Sequence, residues 1–380
     1  MSDYYVGLMS GTSMDGIDAV VVDFPSPLSK KTPRLVCAYS HPWPDDVYQQ
    51  LMASRDIPDA ELHLLHDLDI RLGTIFAEAT RILLDKAELS ADAIIAIGNH
   101  GQTLRHRPDA SRPFSLQIGN AKTLAQQTGI RVISDFRSAD IAAGGQGAPL
   151  APAFHAAVFS SETEARGVLN IGGIANLTVL PAGAGGDEHP AVIGFDTGPG
   201  NTLMDAWITK TCGLSFDEDG EFARTGQINE ELLKRCLSDA YFHAPPAKST
   251  GFELFNLEWL SAQLDQTPNS ATLSSADIQA TLCELSARSI SDAVSRYAEN
   301  IQQLLVCGGG VHNAHLMASI RSALPECQVE STEVCGIHPD WVEAMAFAWL
   351  AKRRLNNQPG NLPSVTGAAT AVMLGRITGF

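Results

Sequence analysis

The chain has 380 residues, of which 44% are hydrophobic and 18% charged, a composition typical of globular proteins with a sizeable core. At about 150 residues per domain, this length predicts two or three packed units. The net charge of −17 predicts an acidic surface that repels the phosphate backbone of nucleic acids. We therefore expect no nucleic-acid partner.

The beginning of the sequence and its cysteines favour a cytoplasmic protein. Met1–Tyr5 has no basic segment leading into an apolar one, so we expect no signal peptide. The charge-free windows Ile141–Ser161 and Gly167–Gly186 are interrupted by Gly, Pro and polar residues, so neither is expected to span a membrane. Seven cysteines without a Cys-x-x-Cys pair predict reduced thiols.

The first part of the chain predicts the element order β-β-β-α-β-α-β. Ala19–Val22 is apolar and rich in β-branched residues, as in a buried strand. Apolar residues recur at steps of three and four from Leu62 to Ile82, as on one face of a long helix. The predicted elements are strands at Tyr4–Met9, Ile17–Asp23 and Arg34–Ser40, the long helix, a strand at Ala93–Ile97, a helix from about Asn120 and a strand at Ile130–Ser134.

The same order returns in the second part, with little residue identity between the two parts. Ser274 and Asp277 have the spacing of a capping box at the start of its long helix. The predicted elements are strands at Val168–Ile171, Leu177–Leu180 and Ala191–Phe195, helices from about Thr202 and Ala276, a strand at Leu304–Cys307, a helix after Asn313 and a strand at Gln328–Ser331. A duplicated α/β fold with its boundary near Ser138–Pro152 predicts two lobes and a central cleft, where ligands commonly bind. The alternative is one continuous α/β sheet.

The segment Gly11–Asp18 joins the first two predicted strands by a turn rich in Gly and hydroxyl residues. Such a turn can point backbone N–H groups at an anion, and Thr12 and Ser13 add hydroxyl donors. Asp15 or Asp18 could hold Mg²⁺ directly or through water. The alternative is an ordinary hairpin turn, because Asp-Gly is common in hairpins.

Three further glycine turns follow strand-like runs, at Asn170–Asn176, Gly194–Asn201 and Cys307–Asn313. The last turn resembles a dinucleotide fingerprint, but Asn313 stands where the final Gly would be. The Gly-x-x-x-x-Gly-Lys-Ser/Thr pattern of P-loop proteins is not in the sequence. Four such turns in two matched halves predict a nucleotide held between the lobes.

Together these motifs resemble the anhydro-N-acetylmuramic acid kinase family of the actin/Hsp70/sugar-kinase superfamily. The resemblance covers nearly the whole chain. The matching segments are Gly11–Asp18, His100–Thr103, Gln117–Asn120, Asp135–Arg137, Ala142–Pro149, Leu169–Asn176, Phe195–Asn201, Lys248–Gly251, Val306–Asn313 and Glu343–Trp349. The resemblance implies a two-lobed, actin-like and ribonuclease H-like α/β fold. We assign residues 1–137 and 363–380 to the N-terminal lobe and 138–362 to the C-terminal lobe.

The resemblance implies ATP and Mg²⁺ as cofactors. Residues implied to hold the ATP phosphates in the first lobe are Gly11, Thr12, Ser13, Met14, Asp15, Gly16, Ile17 and Asp18. The residues implied to complete this site from the second lobe are Gly172, Gly173, Asn176, Gly198, Gly200 and Asn201. Those implied to lie at the adenosine are Gly308, Gly309, Gly310 and Asn313.

The resemblance also implies the reaction, which is a step of cell-wall recycling. A carboxylate, implied to be Asp196, activates water for attack on C1 of 1,6-anhydro-N-acetylmuramic acid. As the C1–O6 bond breaks, O6 takes the γ-phosphoryl group of ATP. Asp196 ends a strand-like run before Gly198 and Gly200, and an ordinary Asp is ionised at neutral pH. The alternative is a turn or cap residue.

Six polar residues are candidates for contacts with the sugar: His100, Gln102, Asp135, Arg137, Gln146 and Glu343. His100 and Gln102 either bind sugar hydroxyls or belong to a structural turn. Arg137 either pairs with the lactyl carboxylate of a muramic acid or forms an ion pair with Asp140. Glu343 is either a sugar-binding carboxylate or a solvated residue in the first turn of a helix.

Two other functions fit parts of the pattern. An ATPase module of the chaperone or cytoskeletal type would turn over ATP without a sugar. A dinucleotide-dependent oxidoreductase would use Val306–Asn313, but the mismatch at Asn313 argues against it. The resemblance suggests a homodimer, and the composition fits a monomer equally well.

Overall fold

The computed structural model describes residues 3–11, 14, 16–25, 32–54, 62–183, 192–246, 248–298 and 300–379. The chain divides into two compact units, Met1–Phe154 with Trp341–Phe380, and His155–Asp340. The first unit therefore includes 138–154 and 341–362, which the sequence analysis assigned to the other lobe.

The first unit is built on a six-stranded sheet and a separate two-stranded sheet. The strands of the unit are β1 (Asp3–Met9), β2 (Ile17–Phe24), β3 (Arg34–His41), β4 (Ile94–Asn99), β5 (Gln102–Arg107), β6 (Phe114–Ile118), β7 (Val132–Ser134) and β13 (Arg376–Thr378). The sheet order is β13-β7-β4-β1-β2-β3, and β5 and β6 form a separate two-stranded sheet. β1, β2 and β3 are antiparallel, whereas β4 and β7 run parallel to β1. The carboxyl ends of β1, β4 and β7 therefore share one edge.

The helices of the first unit are α1 (Asp45–Ser54), α2 (Leu62–Lys86), α3 (Ala121–Thr128), α4 (Ser138–Ala142), α5 (Ala151–Phe159, at the boundary), α13 (Val342–Leu355) and α14 (Pro363–Thr366). Helix α13 packs directly on β1 and β4. A Cβ at Gly7 would overlap the carbonyl oxygen of Ala344, and one at Gly98 would overlap that of Phe347. These two glycines let the helix backbone approach the sheet closely, which explains why α13 belongs to this unit.

The second unit repeats the topology of the first. Its strands are β8 (Arg166–Ile171), β9 (Ile174–Leu180), β10 (Ile193–Pro199), β11 (Gln303–Cys307) and β12 (Gln328–Ser331), in the order β10-β9-β8-β11-β12. Its helices are α6 (Thr202–Cys212), α7 (Glu221–Thr225), α8 (Glu230–Leu237), α9 (Ala240–His243), α10 (Leu257–Asp265), α11 (Ser275–Tyr297) and α12 (Ala314–Ala323). In both units three antiparallel strands precede two parallel ones, so the duplicated β-β-β-α-β-α-β order is confirmed.

Local signals placed several elements accurately. The capping box of Ser274 and Asp277 is present at the start of α11, and Asn120 caps α3. The hairpin of β5 and β6 was not predicted. β5 is polar apart from Leu104, whereas β6 alternates apolar Phe114, Leu116 and Ile118 with polar residues, a local signal that the sequence analysis missed. Among the described residues, the helices are too short or too polar to cross a membrane.

Candidate active site

The shared edge of β1, β4 and β7 places the polar candidates of the first unit side by side. Ser10 and Gly11 follow β1, His100 follows β4, and Asp135 and Arg137 follow β7. The backbone N–H of His100 donates to the carbonyl oxygen of Leu8 at 3.0 Å, so the turn after β4 extends the pairing with β1. Parallel strands thus bring together residues that are far apart in sequence.

Gln102 contacts the loop predicted to hold phosphate. Its Nε2 donates to the carbonyl oxygen of Gly11 at 3.0 Å, and its Oε1 lies 2.7 Å from Ser10 Oγ. Ser10 Oγ also lies 2.7 Å from the carbonyl oxygen of Gly16, at the other end of the loop. These contacts brace the loop, which favours the structural alternative for Gln102.

Within this loop, the backbone N–H of Met14 donates to the carbonyl oxygen of Gly11 at 3.2 Å, and the Met14 side chain is buried. Ile17 and Asp18 lie in β2. Thr12, Ser13 and Asp15 lie outside the described residues. Their contacts with ATP or Mg²⁺ therefore stay predictions.

His100 links this loop to Arg137. His100 Nδ1 lies 3.1 Å from the carbonyl oxygen of Ser10, and because a carbonyl only accepts, Nδ1 carries the hydrogen. His100 Nε2 is then the acceptor for Arg137 Nη2, at 2.9 Å. Burial and the charge of Arg137 lower the pKa of His100 to about 3, so the ring is neutral at physiological pH. Both ring nitrogens have protein partners, which favours the structural alternative for His100.

Arg137 does not form an ion pair with Asp140, which was the alternative to binding the lactyl carboxylate. Other groups hold its side chain in place. Arg137 Nη1 donates to the carbonyl oxygen of Gly147 at 2.7 Å. Asp140 instead accepts from the Gly147 backbone N–H at 2.7 Å, and its other oxygen accepts from Asn361 Nδ2 at 2.6 Å and Thr366 Oγ1 at 2.7 Å. Asp140 therefore fixes the loop that holds Arg137.

The guanidinium of Arg137 keeps binding capacity for an anion. Burial lowers its pKa to about 10, while the negative charges of Glu343 and Asp140 act in the opposite direction. It is therefore charged at neutral pH. Its Nε is buried and has no hydrogen-bond partner among the described residues. Gln146 lies in the same loop, where its backbone N–H donates to the carbonyl oxygen of Thr366 at 2.8 Å.

Two sugar candidates, His100 and Asp135, line a polar pocket of about 270 Å³ in the first unit. Asn120 and Gln117, from the matching segment Gln117–Asn120, line it as well. Asp135 has a φ of 55°, and its Oδ1 accepts from the Ser138 backbone N–H at 3.3 Å. The pocket offers amide, hydroxyl and carboxylate groups, which suit sugar hydroxyls.

The glycine turns of the second unit converge on one another. The backbone N–H of Gly200 donates to the carbonyl oxygen of Gly173 at 2.8 Å, and that of Asn201 donates to the carbonyl oxygen of Gly172 at 2.9 Å. A Cβ at Gly200 would overlap the carbonyl oxygen of Gly172. The turns after β8 and β10 are therefore packed together, as the nucleotide hypothesis requires.

The turn after β11 packs against the end of β8, next to the other two glycine turns. A Cβ at Gly310 would overlap the side chain of Ile171, whereas a Cβ at Gly309 would have no heavy atom within 4 Å. Gly308 has a φ of 81°, which favours glycine. Asn313 caps α12 by accepting from the Leu316 backbone N–H at 3.0 Å. The turn thus has a packed side and an open side at Gly309.

Asp196 lies within β10 rather than after a strand. In the register of the sheet, Asn176 pairs with Asp196 on one side and with Asn170 on the other. Directly paired residues point to the same face, so these three polar side chains form a row across β8, β9 and β10. A bulge follows Asp196, between it and Gly198.

A distant segment covers Asp196. The Thr250 backbone N–H donates to Asp196 Oδ2 at 3.0 Å, and the Asp196 backbone N–H donates to the carbonyl oxygen of Lys248 at 3.1 Å. Tyr241 Oη donates to the Asp196 carbonyl oxygen at 2.8 Å. Lys248 Nζ donates to the Tyr241 carbonyl oxygen at 2.9 Å.

Burial raises the pKa of Asp196 to about 7, and the charge of Glu253 adds to this rise. The Thr250 N–H and the Lys248 charge act in the opposite direction. The expectation of an ordinary Asp is therefore wrong, because the covering segment removes water from the carboxylate. A pKa near the working pH suits a general base.

Comparison with known proteins shows the family of this chain. A family model for anhydro-N-acetylmuramic acid kinase matches residues 3–379. The chain belongs to this family. It is 50% identical over 376 residues to the anhydro-N-acetylmuramic acid kinase of Saccharophagus degradans, covering 98% of each chain. It is 46% identical over 373 residues to that of Coxiella burnetii, covering 98% of this chain and 96% of the relative.

Among solved structures, the chain is similar to an activator of 2-hydroxyisocaproyl-CoA dehydratase from Clostridium difficile with bound ADPNP. The TM-score is 0.46 and the identity 13%, over 91% of this chain and 92% of that one.

Four residues around Asp196 were not among the candidates from the sequence of this anhydro-N-acetylmuramic acid kinase. They are Tyr241, Lys248, Thr250 and Glu253. The only sequence signal was the matching segment Lys248–Gly251, to which no role was assigned. Nothing in the sequence shows that this segment meets β10.

A metal site in this kinase stays a prediction. The described residues contain no group of three or more His, Cys, Asp or Glu side chains that could hold a metal ion. Mg²⁺ in kinases, however, takes one or two carboxylates together with water and phosphate oxygens. Asp18 is compatible with that smaller set, and Asp15 lies outside the described residues.

Proposed function

We propose that the protein hydrolyses the anhydro bond of 1,6-anhydro-N-acetylmuramic acid and phosphorylates O6 with ATP, giving N-acetylmuramic acid 6-phosphate and ADP for cell-wall recycling. Membership of the kinase family supports the phosphoryl transfer and the sugar. The observation that carries the hydrolytic part is Asp196, a partly buried residue beside the glycine turns whose carboxylate has a pKa of about 7.

In the proposed mechanism the Asp196 carboxylate takes a proton from water as the water oxygen attacks C1. The C1–O6 bond breaks, and O6 takes the γ-phosphoryl group from ATP. No separate acid needs to protonate O6, because the leaving oxygen of the sugar step is the phosphoryl acceptor. Phosphoryl transfer itself is mainly positioning and neutralisation of charge, and bound Mg²⁺ supplies part of that neutralisation.

The other residues bind and orient. We assign the phosphates of ATP to Gly11–Asp18 and to Gly172, Gly173, Asn176, Gly198, Gly200 and Asn201. The open side of the turn at Gly308–Gly310, with Asn313, is assigned to adenosine. Arg137 is assigned to the lactyl carboxylate, supported by its charge and its unpartnered Nε. His100 and Gln102 hold Arg137 and the phosphate loop in place, while Asp135, Gln146 and Glu343 remain candidates for the sugar.

Mass spectrometry of the product tests this function. The protein is incubated with Mg-ATP and the anhydro sugar in ¹⁸O-labelled water. We expect a product heavier by one phosphoryl group and one labelled water. A phosphorylated product without added water would contradict the hydrolytic step and indicate an ordinary hydroxyl kinase. ATP consumption with unchanged sugar would favour an ATPase module instead.

A cytoplasmic location and a homodimer stay predictions. Light scattering of the purified protein distinguishes the dimer from the monomer.

A further inference from the structure

Thr250 lies on the segment that covers the proposed base. Its backbone N–H donates to Asp196 Oδ2 at 3.0 Å, and two residues earlier the carbonyl oxygen of Lys248 accepts from the Asp196 backbone N–H at 3.1 Å. The segment is thus attached to Asp196 at two points. This places the Thr250 backbone next to the carboxylate, although the two residues are 54 apart in sequence.

The hydroxyl of Thr250 has no hydrogen-bond partner among the described residues, although Oγ1 is buried. A buried hydroxyl without a partner is unfavourable, because it loses its hydrogen bonds to water and gains none. Its neighbours Asp196, Lys248 and Tyr241 all have partners within this cluster. Thr250 therefore has unused hydrogen-bonding capacity beside the proposed base.

We propose that the Thr250 hydroxyl positions the water molecule that Asp196 deprotonates. This inference rests on the proposed function. A water molecule has two hydrogens: one goes to the Asp196 carboxylate, which the Thr250 N–H holds through Oδ2, and the other is held by Thr250 Oγ1. The lone pair of the water oxygen is then directed at C1.

The chemical step is balanced with this arrangement. The water proton passes to Asp196, the water oxygen bonds to C1, and the C1–O6 bond breaks. O6 bonds to the γ-phosphorus, and ADP leaves. Thr250 gains and loses no atoms, so its contribution is to hold the nucleophile.

The hydroxyl can be removed without changing the charges that face Asp196. Those charged and titratable groups are Lys248, Glu253 and Tyr241, with Arg296 acting on Lys248. Thr250→Val keeps the backbone N–H and the shape of the side chain. We therefore expect it to lower the rate without moving the acid limb of the pH profile.

Thr332 provides a matched control. Its Oγ1 is also buried without a hydrogen-bond partner in the described part of the chain, and Thr332 follows β12, at the opposite edge of the sheet from β10. Four strand spacings of about 4.8 Å separate those edges. Thr332→Val therefore removes the same kind of hydroxyl far from Asp196.

The experiment compares kcat and KM for sugar and ATP in Thr250→Val, Thr250→Ser, Thr332→Val and Asp196→Asn, with melting temperatures. We expect Thr250→Val to lower kcat roughly tenfold, as for one lost hydrogen bond to the nucleophile. Both KM values should stay within about twofold. Thr250→Ser, which keeps the hydroxyl, should restore most of the rate, and Thr332→Val should be normal.

Normal turnover of Thr250→Val, alongside an inactive Asp196→Asn, would overturn this inference and leave the proposed function intact. A raised sugar KM at unchanged kcat would overturn it too, because Thr250 would then contact the sugar. A shifted acid limb would show that Thr250 acts on the ionisation of Asp196 instead. If Thr250→Val melts earlier than Thr332→Val, Thr250→Ala is measured, and normal turnover there overturns the inference. A fully active Asp196→Asn would refute the proposed function itself.

Discussion

At the residue scale, the environment of Asp196 decides its chemistry. Asp196 is partly buried, and the loss of water around its carboxylate raises its pKa to about 7, while one oxygen accepts from the Thr250 N–H. The row of Asn170, Asn176 and Asp196 offers amides beside the carboxylate on the same sheet face. The residue is therefore poised between its two protonation states at neutral pH, which suits the base role proposed for it.

Replacing Asp196 by Asn removes the proposed base and keeps the shape of the side chain. We expect kcat to fall at least roughly a hundredfold, because a positioned base typically contributes about 10²–10⁴ in rate. ATP binding, measured by calorimetry, should be retained, since the proposed nucleotide turns are unchanged. Near-normal turnover would contradict the assignment of Asp196.

The pH dependence follows from the raised pKa of Asp196. Only the carboxylate form accepts a proton, so kcat/KM should fall about tenfold per pH unit below about pH 7. The free energy of unfolding should change with pH in the opposite direction to the activity. The fold favours the protonated form, so ionisation of Asp196 destabilises the fold as pH rises from about 4, the pKa in the unfolded chain, to about 7.

Melting temperatures of the native protein and Asp196→Asn at pH 5 and pH 8 check this sign. The Asn variant should gain stability relative to the native protein at pH 8, and less so at pH 5. An equal difference at both pH values would show that Asp196 does not titrate in this range.

At the element scale, glycines at closely packed positions allow the elements around the candidate site to approach one another. In the first unit, Gly7 and Gly98 let α13 lie on the sheet, and this helix carries Glu343 and Phe347. The Phe347 ring packs on His100, with 4.7 Å between ring centroids. In the second unit, Gly200 and Gly310 let the three turns pack together. The positions of the polar groups thus depend on glycine, because a Cβ atom at these four positions would overlap a neighbouring element.

The two neighbouring glycines of the turn after β11 make a matched pair of variants. Gly310→Ala places a methyl group on Ile171, so we expect a loss of about 1–3 kcal/mol in the free energy of unfolding. Gly309→Ala meets no heavy atom within 4 Å and should unfold normally. If this open side faces adenosine, Gly309→Ala should still raise the KM for ATP. An unchanged KM would contradict that assignment.

At the scale of the whole molecule, the chain forms two units of the same topology, and the first is completed by the C-terminal part of the chain. Asp140 accepts from Asn361 and Thr366, which are 221 and 226 residues away in sequence. This buried network joins the loop that holds Arg137 to the last segment of the chain. The sugar candidates therefore depend on contacts between distant parts of the sequence.

Much of the fold was accessible from the sequence because its signals are local. The apolar pattern of β2 and α2 and the caps of α3, α11 and α12 each involve a few neighbouring residues. Three of the four glycine turns were recognisable because each follows a strand, whereas most of Gly194–Asn201 lies within β10. The limits of the two units were not recognisable, because they depend on tertiary packing, and the hairpin of β5 and β6 was missed because β5 is polar.

The sequence by itself determined the order of the elements, their duplication and the family, since these follow from local patterns and motifs. Only the tertiary structure decided that Asp196 has a raised pKa, because the segment that buries it comes about 50 residues later. It also showed that His100 and Gln102 brace the loop predicted to hold phosphate and that Asp140 pairs with Asn361 and Thr366 rather than Arg137. Hydrogen-bond partners and burial depend on which chain segments meet in space, and sequence patterns do not contain that information.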